Sequence, residues 1–166
     1  MMAETAFFQK INLFQDLSPE EIEVVLSHTT PRDFPAGAVI IQEGEPGDSL
    51  FIMVSGEVEI TKKLTMVLDE ETPKERVMIR LQAEDGVYFG EMALLENETR
   101  SATVTAISDC HLLRLNRKDF LELIQQNPAM GVKLLFRLAQ VLSRYLRKTN
   151  QDVVKLTTAL AISLGG

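Results

Sequence analysis

The chain has 166 residues, 45% apolar and 25% charged, with a formal charge of −7, which favours one domain, or one domain with a helical appendage, over a disordered tail. One cysteine, Cys110, excludes an internal disulfide, and with only His28 and His111 beside it no metal site is expected. No run approaches the ~20 apolar residues of a membrane span, and the MMAETAFFQK start lacks the features of a signal peptide, so no membrane partner and a cytoplasmic location are expected.

The charge is uneven. From Pro128 onward six basic residues (Lys133, Arg137, Arg144, Arg147, Lys148, Lys155) meet one acid, Asp152, giving +5 and leaving −12 on residues 1–127. This reads as a basic helix against an acidic body, its charges solvated. Binding of nucleic acid would need a groove-reading motif as well, and none is seen.

Taken in chain order, Phe7, Phe8, Ile11 and Phe14 recur at the spacing of one helix face. Ser18-Pro19-Glu20-Glu21 then places a capping serine, a proline suited to the first helical position and a glutamate three residues after the cap. It predicts a helix from Pro19 to Ser27 with Ile22, Val25 and Leu26 inward. Between Pro31 and Leu115 the pattern changes to short runs, Val39–Ile41, Leu50–Val54, Val58–Ile60, Val77–Leu81, Ala102–Ala106 and Leu112–Leu115, broken by Gly and Pro. An antiparallel sandwich or jelly roll follows, because a parallel sheet needs a crossover between successive strands. Thr65 to Arg76 reads as a solvated hairpin tip. Asn116 is placed to cap a helix carrying Phe120, Leu121 and Ile124, and Asn127-Pro128 ends it while starting another. From Pro128 to about Leu160 an apolar stripe (Leu134, Leu135, Leu138, Val141, Leu142, Tyr145, Leu146, Val153, Leu156) predicts a rod of about 50 Å. Part of such a rod must find a partner surface elsewhere.

Chemistry concentrates in Phe89-Gly90-Glu91-Met92-Ala93-Leu94-Leu95 and the following Arg100-Ser101-Ala102-Thr103-Val104. A glycine before a short helical turn lets backbone approach a ligand, and the free N–H groups of the turn favour an anion. The Arg100 fork can pair with two phosphate oxygens, while an ionised Glu91 accepts from a hydroxyl such as a ribose 2′-OH. The same residue types also fit a Glu91–Arg100 ion pair closing a loop with no ligand. His28 and His111 have no ligand-spaced partners, Cys110 reads as a buried small residue, and the seven methionines, Met92 included, read as core filler.

These motifs resemble the phosphate-binding cassette of the cyclic-nucleotide-binding domain family, F-G-E-x-A-L-x followed by R-x-A-T-V, with every fixed position filled. The upstream run from Val39 through Gly44, Pro46-Gly47-Asp48-Ser49 and Gly56 to Val58 is similar to the family's glycine-punctuated β-roll. The resemblance implies a mainly β fold, an antiparallel β-roll with flanking helices. One domain would span 1–160, with N-terminal helices over 1–30, the roll over 31–116 holding the cassette at 89–104, and C-terminal helices over 117–160; 161–166 would be a tail. It also implies that Arg100 holds the cyclic phosphate and Glu91 the ribose 2′-OH. Phe89 belongs to the same cassette. Backbone N–H groups around Gly90, Met92 and Ala93 would complete the cradle, with Ser101 and Ala102 beside the arginine.

Ser101 leaves the base open between adenine and guanine: kinase-type relatives carry alanine there for adenine and threonine for guanine, while catabolite-activator-type regulators, which bind cyclic AMP, also have serine. Those regulators set a Thr-Ser pair against the adenine, and Thr149-Asn150 is comparable; both also fit an exposed polar break in the stripe. Tyr145 is a second candidate to cap the base, or an ordinary packing residue. Ala159 to Gly166 cannot hold a recognition helix, so direct DNA binding is not expected. The expectation is a non-enzymatic receptor for cyclic AMP, with cyclic GMP as the other possible ligand. It would need no further cofactor, would signal to an effector protein of unknown identity by moving its C-terminal helices, and would form a homodimer through the 128–160 helix. The alternative is a ligand-free scaffold that keeps the fold.

Overall fold

The structure, a computed structural model, describes residues 2–63 and 75–165. Helix α1, Met2–Gln9, is followed by a 3-10 turn, Asn12–Phe14, and by α2, Pro19–Ser27. The single amphipathic segment expected at the start is therefore split. The N–H groups of Lys10 and Ile11 bond three residues back, to Phe7 and Phe8, which tightens and ends the helix; Ile11 and Phe14 are buried from beyond it. The cap of α2 is reciprocal, with Ser18 Oγ accepting from Glu21 N at 3.2 Å while the Glu21 carboxylate accepts from Ser18 N at 2.8 Å. Ile22 and Val25 are buried and Leu26 is half-buried.

The strands are β1 Thr30–Phe34, β2 Val39–Ile41, β3 Ser49–Ser55, β4 Glu57–Lys63, β5 Glu75–Gln82, β6 Tyr88–Phe89, β7 Thr103–Ala106 and β8 Cys110–Asn116. They form two four-stranded sheets, ordered β1-β8-β3-β6 and β2-β7-β4-β5, with antiparallel pairing throughout. Two strands escape sequence patterning. Pro31, Arg32 and Asp33 give β1 no apolar run, yet its register on β8, from Thr30↔Arg114 to Phe34↔Cys110, holds it in the sheet; β6 has only two residues and exists by pairing with β3. The expected hairpin tip lies outside the described residues, except that Glu75 and Arg76 pair with Lys63 and Lys62.

Alternation along the first sheet serves two cores. One face sends Phe51, Met53, Phe89 and Leu112 between the sheets to meet Ile41, Val58, Val104 and Ala106 of the second sheet. The opposite face sends Leu50, Ile52 and Leu115 into the helices, where they join Phe14, Ile22, Phe120, Leu123, Met130, Leu134 and Leu138. Leu94 is buried in that second cluster.

Helix α4, Arg117–Gln126, begins at the predicted cap, Asn116 Oδ1 accepting from Asp119 N at 2.8 Å, and Pro128 starts α5, Pro128–Leu164. Gly131 allows α5 to cross α4 closely, since a Cβ there would lie 2.8 Å from Ile124 Cβ. The basic helix does meet acidic residues: Lys133 Nζ lies 2.7 Å from Glu21, and Arg137 donates to both carboxylate oxygens of Asp16 at 2.6 Å. The α5 stripe is corrected in two ways. Only Leu134, Leu138 and Val141 of it are buried, Leu135 and Tyr145 are exposed in part, and Leu146, Val153 and Leu156 lie in solvent because the body ends before them. The helix also runs to Leu164, through the segment expected as a tail. No helix among the described residues is long and apolar enough to cross a membrane.

Candidate functional site

Phe89 ends β6 buried in the roll, stacked on Phe51 with ring centroids 5.7 Å apart. Gly90 follows with φ +80°, a backbone that L side chains rarely adopt, and a Cβ there would stand 2.8 Å from Arg100 Nη1. The chain then enters α3, the single turn Met92–Leu95, whose Ala93 and Leu94 are buried. Met92 is corrected: it is 45% exposed on the outer side of the turn and fills no core, whereas Met53 and Met130 do.

Arg100 is fixed by its own backbone before its side chain is considered. Its N–H donates to the Glu45 carbonyl and its carbonyl accepts from Gly44 N, both at 2.9 Å. This two-way clamp to the β2–β3 turn aims the side chain inward. The guanidinium donates through Nη2 to the Ser49 carbonyl at 2.8 Å and through Nη1 to the Gly90 carbonyl at 3.3 Å. Arg100 thus bridges β3 and the cassette. Gly47 passes so close that a Cβ on it would lie 1.8 Å from Arg100 Nε. The ion pair with Glu91 that the residue types also allowed is not formed, and among the described residues no carboxylate oxygen lies within ion-pair distance of Arg100. A half-buried cation without a carboxylate partner retains its capacity to pair with an anion.

Glu91 is 9% exposed at the start of α3. Burial raises its carboxyl above the ordinary glutamate value of 4.5, while its own backbone N–H and the Arg100 charge pull it down. Because the folded-state value is raised, this group's stabilising contribution is full below about pH 4.5 and is lost as pH rises through the higher value. Glu91→Gln is therefore expected to raise the melting temperature of the unliganded protein at pH 7, with the gain shrinking as the pH falls toward 4.5. Melting curves across that range check it.

Of the expected cradle donors, Ala93 N–H is already used, donating to the Gly90 carbonyl at 3.2 Å; Gly90 and Met92 lie before that closed turn and at its start. Ser101 is exposed and Ala102 half-buried beside Arg100, and the next residue, Thr103, is buried with Oγ1 accepting from Glu43 N at 3.1 Å. Tyr145 is 54% exposed on α5, and its hydroxyl feels both the Glu91 charge and Arg144, with desolvation as the larger influence raising its pKa. Thr149 and Asn150 are exposed one turn further along. The structure therefore brings Tyr145 toward the cassette and leaves the other two in solvent. His28 and Cys110 engage backbone carbonyls, His111 pairs with Asp33, and no cluster among the described residues could hold a metal ion.

Sequence reading missed Gly47, Asp48, Ser49 and Arg114 as neighbours of Arg100. The first three were visible only as turn residues. A cavity of about 260 Å³ is lined by these four, Arg100, Arg32 and Phe34 among others, and its lining does not include Glu91, Ser101 or Ala102.

A two-sheet roll with one turn of helix, a glycine at positive φ and an inward arginine that no carboxylate pairs with among the described residues define a β-roll carrying an anion-competent turn. Residues 31–127 match the cyclic nucleotide-binding domain family, and the chain belongs to it. It is 34% identical over 141 residues to the cyclic AMP receptor protein of Thermus thermophilus, covering 85% of this chain and 60% of that relative. The crystal structure of the Thermus thermophilus catabolite activator protein superposes with a TM-score of 0.77 at 34% identity, over 88% of this chain and 63% of that one. The regulatory domain of Toxoplasma gondii PKA, solved with cAMP, gives a TM-score of 0.61 at 31% identity over 72% of this chain and 42% of its own. The chain thus spans about three fifths of the length of the receptor protein it matches.

Proposed function

We propose that the chain is a receptor module for cyclic AMP that acts without catalysis, in the cytoplasm, by moving its C-terminal helices. The observation that carries the reading is Arg100, clamped by its backbone, aimed at the cassette and free of carboxylates among the described residues. In this reading Arg100 pairs with the cyclic phosphate, Gly90, Met92 and the surrounding backbone cradle it with Ser101 and Ala102 alongside, and Glu91 accepts from the ribose 2′-OH. Tyr145 closes over the base; Thr149 and Asn150 reach it only if α5 swings inward. The Thermus cyclic AMP receptor protein and the Toxoplasma regulatory domain solved with cAMP support adenine, and Ser101 is compatible with it.

The signal has a physical route. Leu94 of the cassette turn is packed with Phe120, Leu123, Met130 and Leu134 of α4 and α5, and Arg117 Nε donates to the Leu94 carbonyl at 3.3 Å. Drawing the turn toward a phosphate repacks that cluster at the Asn127-Pro128 hinge, to the extent that the ligand prefers one arrangement. The exposed apolar end of α5, with Leu156 at 70% exposure, would be covered by the same helix of a second copy, and the effector protein would read the resulting geometry.

Isothermal titration with cyclic AMP and with cyclic GMP tests the reading, cyclic AMP being expected to bind more tightly. A folded protein that gives no heat and no thermal stabilisation with either nucleotide would favour the ligand-free scaffold. Sedimentation at micromolar concentration checks the dimer, for which a monomer mass is the contrary result.

A further inference from the structure

Asp48 sits between two residues of the β2–β3 segment that touch Arg100. Gly47 packs on Arg100 Nε and the Ser49 carbonyl accepts from Arg100 Nη2, so the carboxylate between them is the natural partner of that guanidinium. It is engaged elsewhere. Arg114 on β8 donates from Nη2 to Asp48 Oδ1 at 2.9 Å and from Nε to Ser49 Oγ at 2.6 Å, and Ser49 Oγ donates to the same Asp48 oxygen at 2.6 Å. Gly47, Asp48, Ser49, Arg100 and Arg114 all line one cavity. The pairing of β3 with β8 places Arg114 there, opposite Phe51 and one step from Ser49 along the same face.

We propose that Arg114 is a positioning residue for ligand binding: by holding Asp48 it keeps that carboxylate from neutralising Arg100. The inference rests on the receptor reading above, and adds to it a residue that lies outside the cassette. The physical reason is competition. An internal carboxylate on Arg100 would have to be displaced by every incoming phosphate, whereas a charge-assisted hydrogen bond from a second arginine to Asp48 Oδ1, reinforced by the serine hydroxyl on the same oxygen, holds Asp48 in advance. The charges are coupled in the expected sense, since Asp48 supports the protonated form of Arg100 and Arg114 opposes it, while burial is the largest influence and lowers its pKa.

A double-mutant cycle on cyclic AMP affinity tests this. Arg114→Met keeps most of the side-chain length and removes the grip, and is expected to weaken binding about three- to ten-fold, modest because Arg114 and Asp48 are both partly solvent-exposed. In the Asp48→Asn background the same Arg114→Met change is expected to cost less than about two-fold, because no carboxylate is left to capture Arg100. A purely structural role for Arg114 would give equal losses in both backgrounds, and that result overturns the inference, as does an undiminished affinity of Arg114→Met. A wild-type protein that binds neither nucleotide would instead overturn the receptor reading, so the two failures are separable. A crystal structure of Arg114→Met is expected to show Asp48 turned onto Arg100.

Discussion

Arg100→Ala is expected to lower cyclic AMP affinity by roughly 30-fold to several-thousand-fold, corresponding to about 2–5 kcal/mol for removing one partner of a buried, hydrogen-bonded charge pair. The range is wide because the guanidinium is half-buried and part of its charge is screened. Two further consequences follow from its contacts. The Ser49 carbonyl loses its Arg100 donor and the Gly90 carbonyl one of its two, keeping Ala93 N–H, so the unliganded protein should also become slightly less stable, by about 1–2 kcal/mol. Arg100→Lys retains the charge but cannot span both carbonyls and a phosphate, so it should recover stability only in part and affinity less. Titration and urea melts on the three proteins separate these effects. Unchanged nucleotide affinity in Arg100→Ala would remove the site from the cassette.

The second large effect concerns the frame that carries the cassette. Gly56 is the single residue between β3 and β4, where the chain leaves one sheet and enters the other. Its φ is +101°, and a Cβ would stand 2.6 Å from the Asp109 carbonyl oxygen and 2.8 Å from Cys110 Cα. Both obstacles include backbone of the turn into β8, so neither can swing aside as a side chain tip could. Gly56→Ala is expected to cost about 2–4 kcal/mol, combining the left-handed strain with displacement of packed backbone. A urea denaturation midpoint equal to wild type would show that the sheet crossover tolerates a side chain. Because β3 carries Ser49, to which Arg100 is bonded, the variant should also weaken nucleotide binding when tested below its melting temperature.

How much was legible in the residues differs by element. Helix α2 was readable to its ends because its cap is local: Ser18 and Glu21 satisfy each other within one turn. The same holds for Asn116 ahead of α4 and for the strands rich in β-branched residues. Strand β1 was not readable, since Pro31, Arg32 and Asp33 carry no strand pattern and owe their place to pairing with β8. The stripe on α5 was visible as a period but not as a depth. Leu138 and Leu156 lie on the same run, yet one is sealed by the N-terminal helices and the other stands in solvent, because burial depends on where the body of the domain stops.

The cassette divides in the same way. Glycine, glutamate and arginine at their spacing marked a turn able to take an anion, because backbone freedom, charge and hydrogen-bonding capacity are properties of residue types; they fitted a ligand-free ion pair equally, and it was the resemblance of the cassette and of the roll motif upstream that pointed to the family. What only the tertiary structure decided is which groups compete for the arginine. Asp48 and Arg114 are 66 residues apart and meet because β3 and β8 share a register. That Arg114 and not Arg100 holds Asp48 is therefore a property of strand pairing, since Coulomb attraction acts between positions in space that sequence spacing alone does not specify.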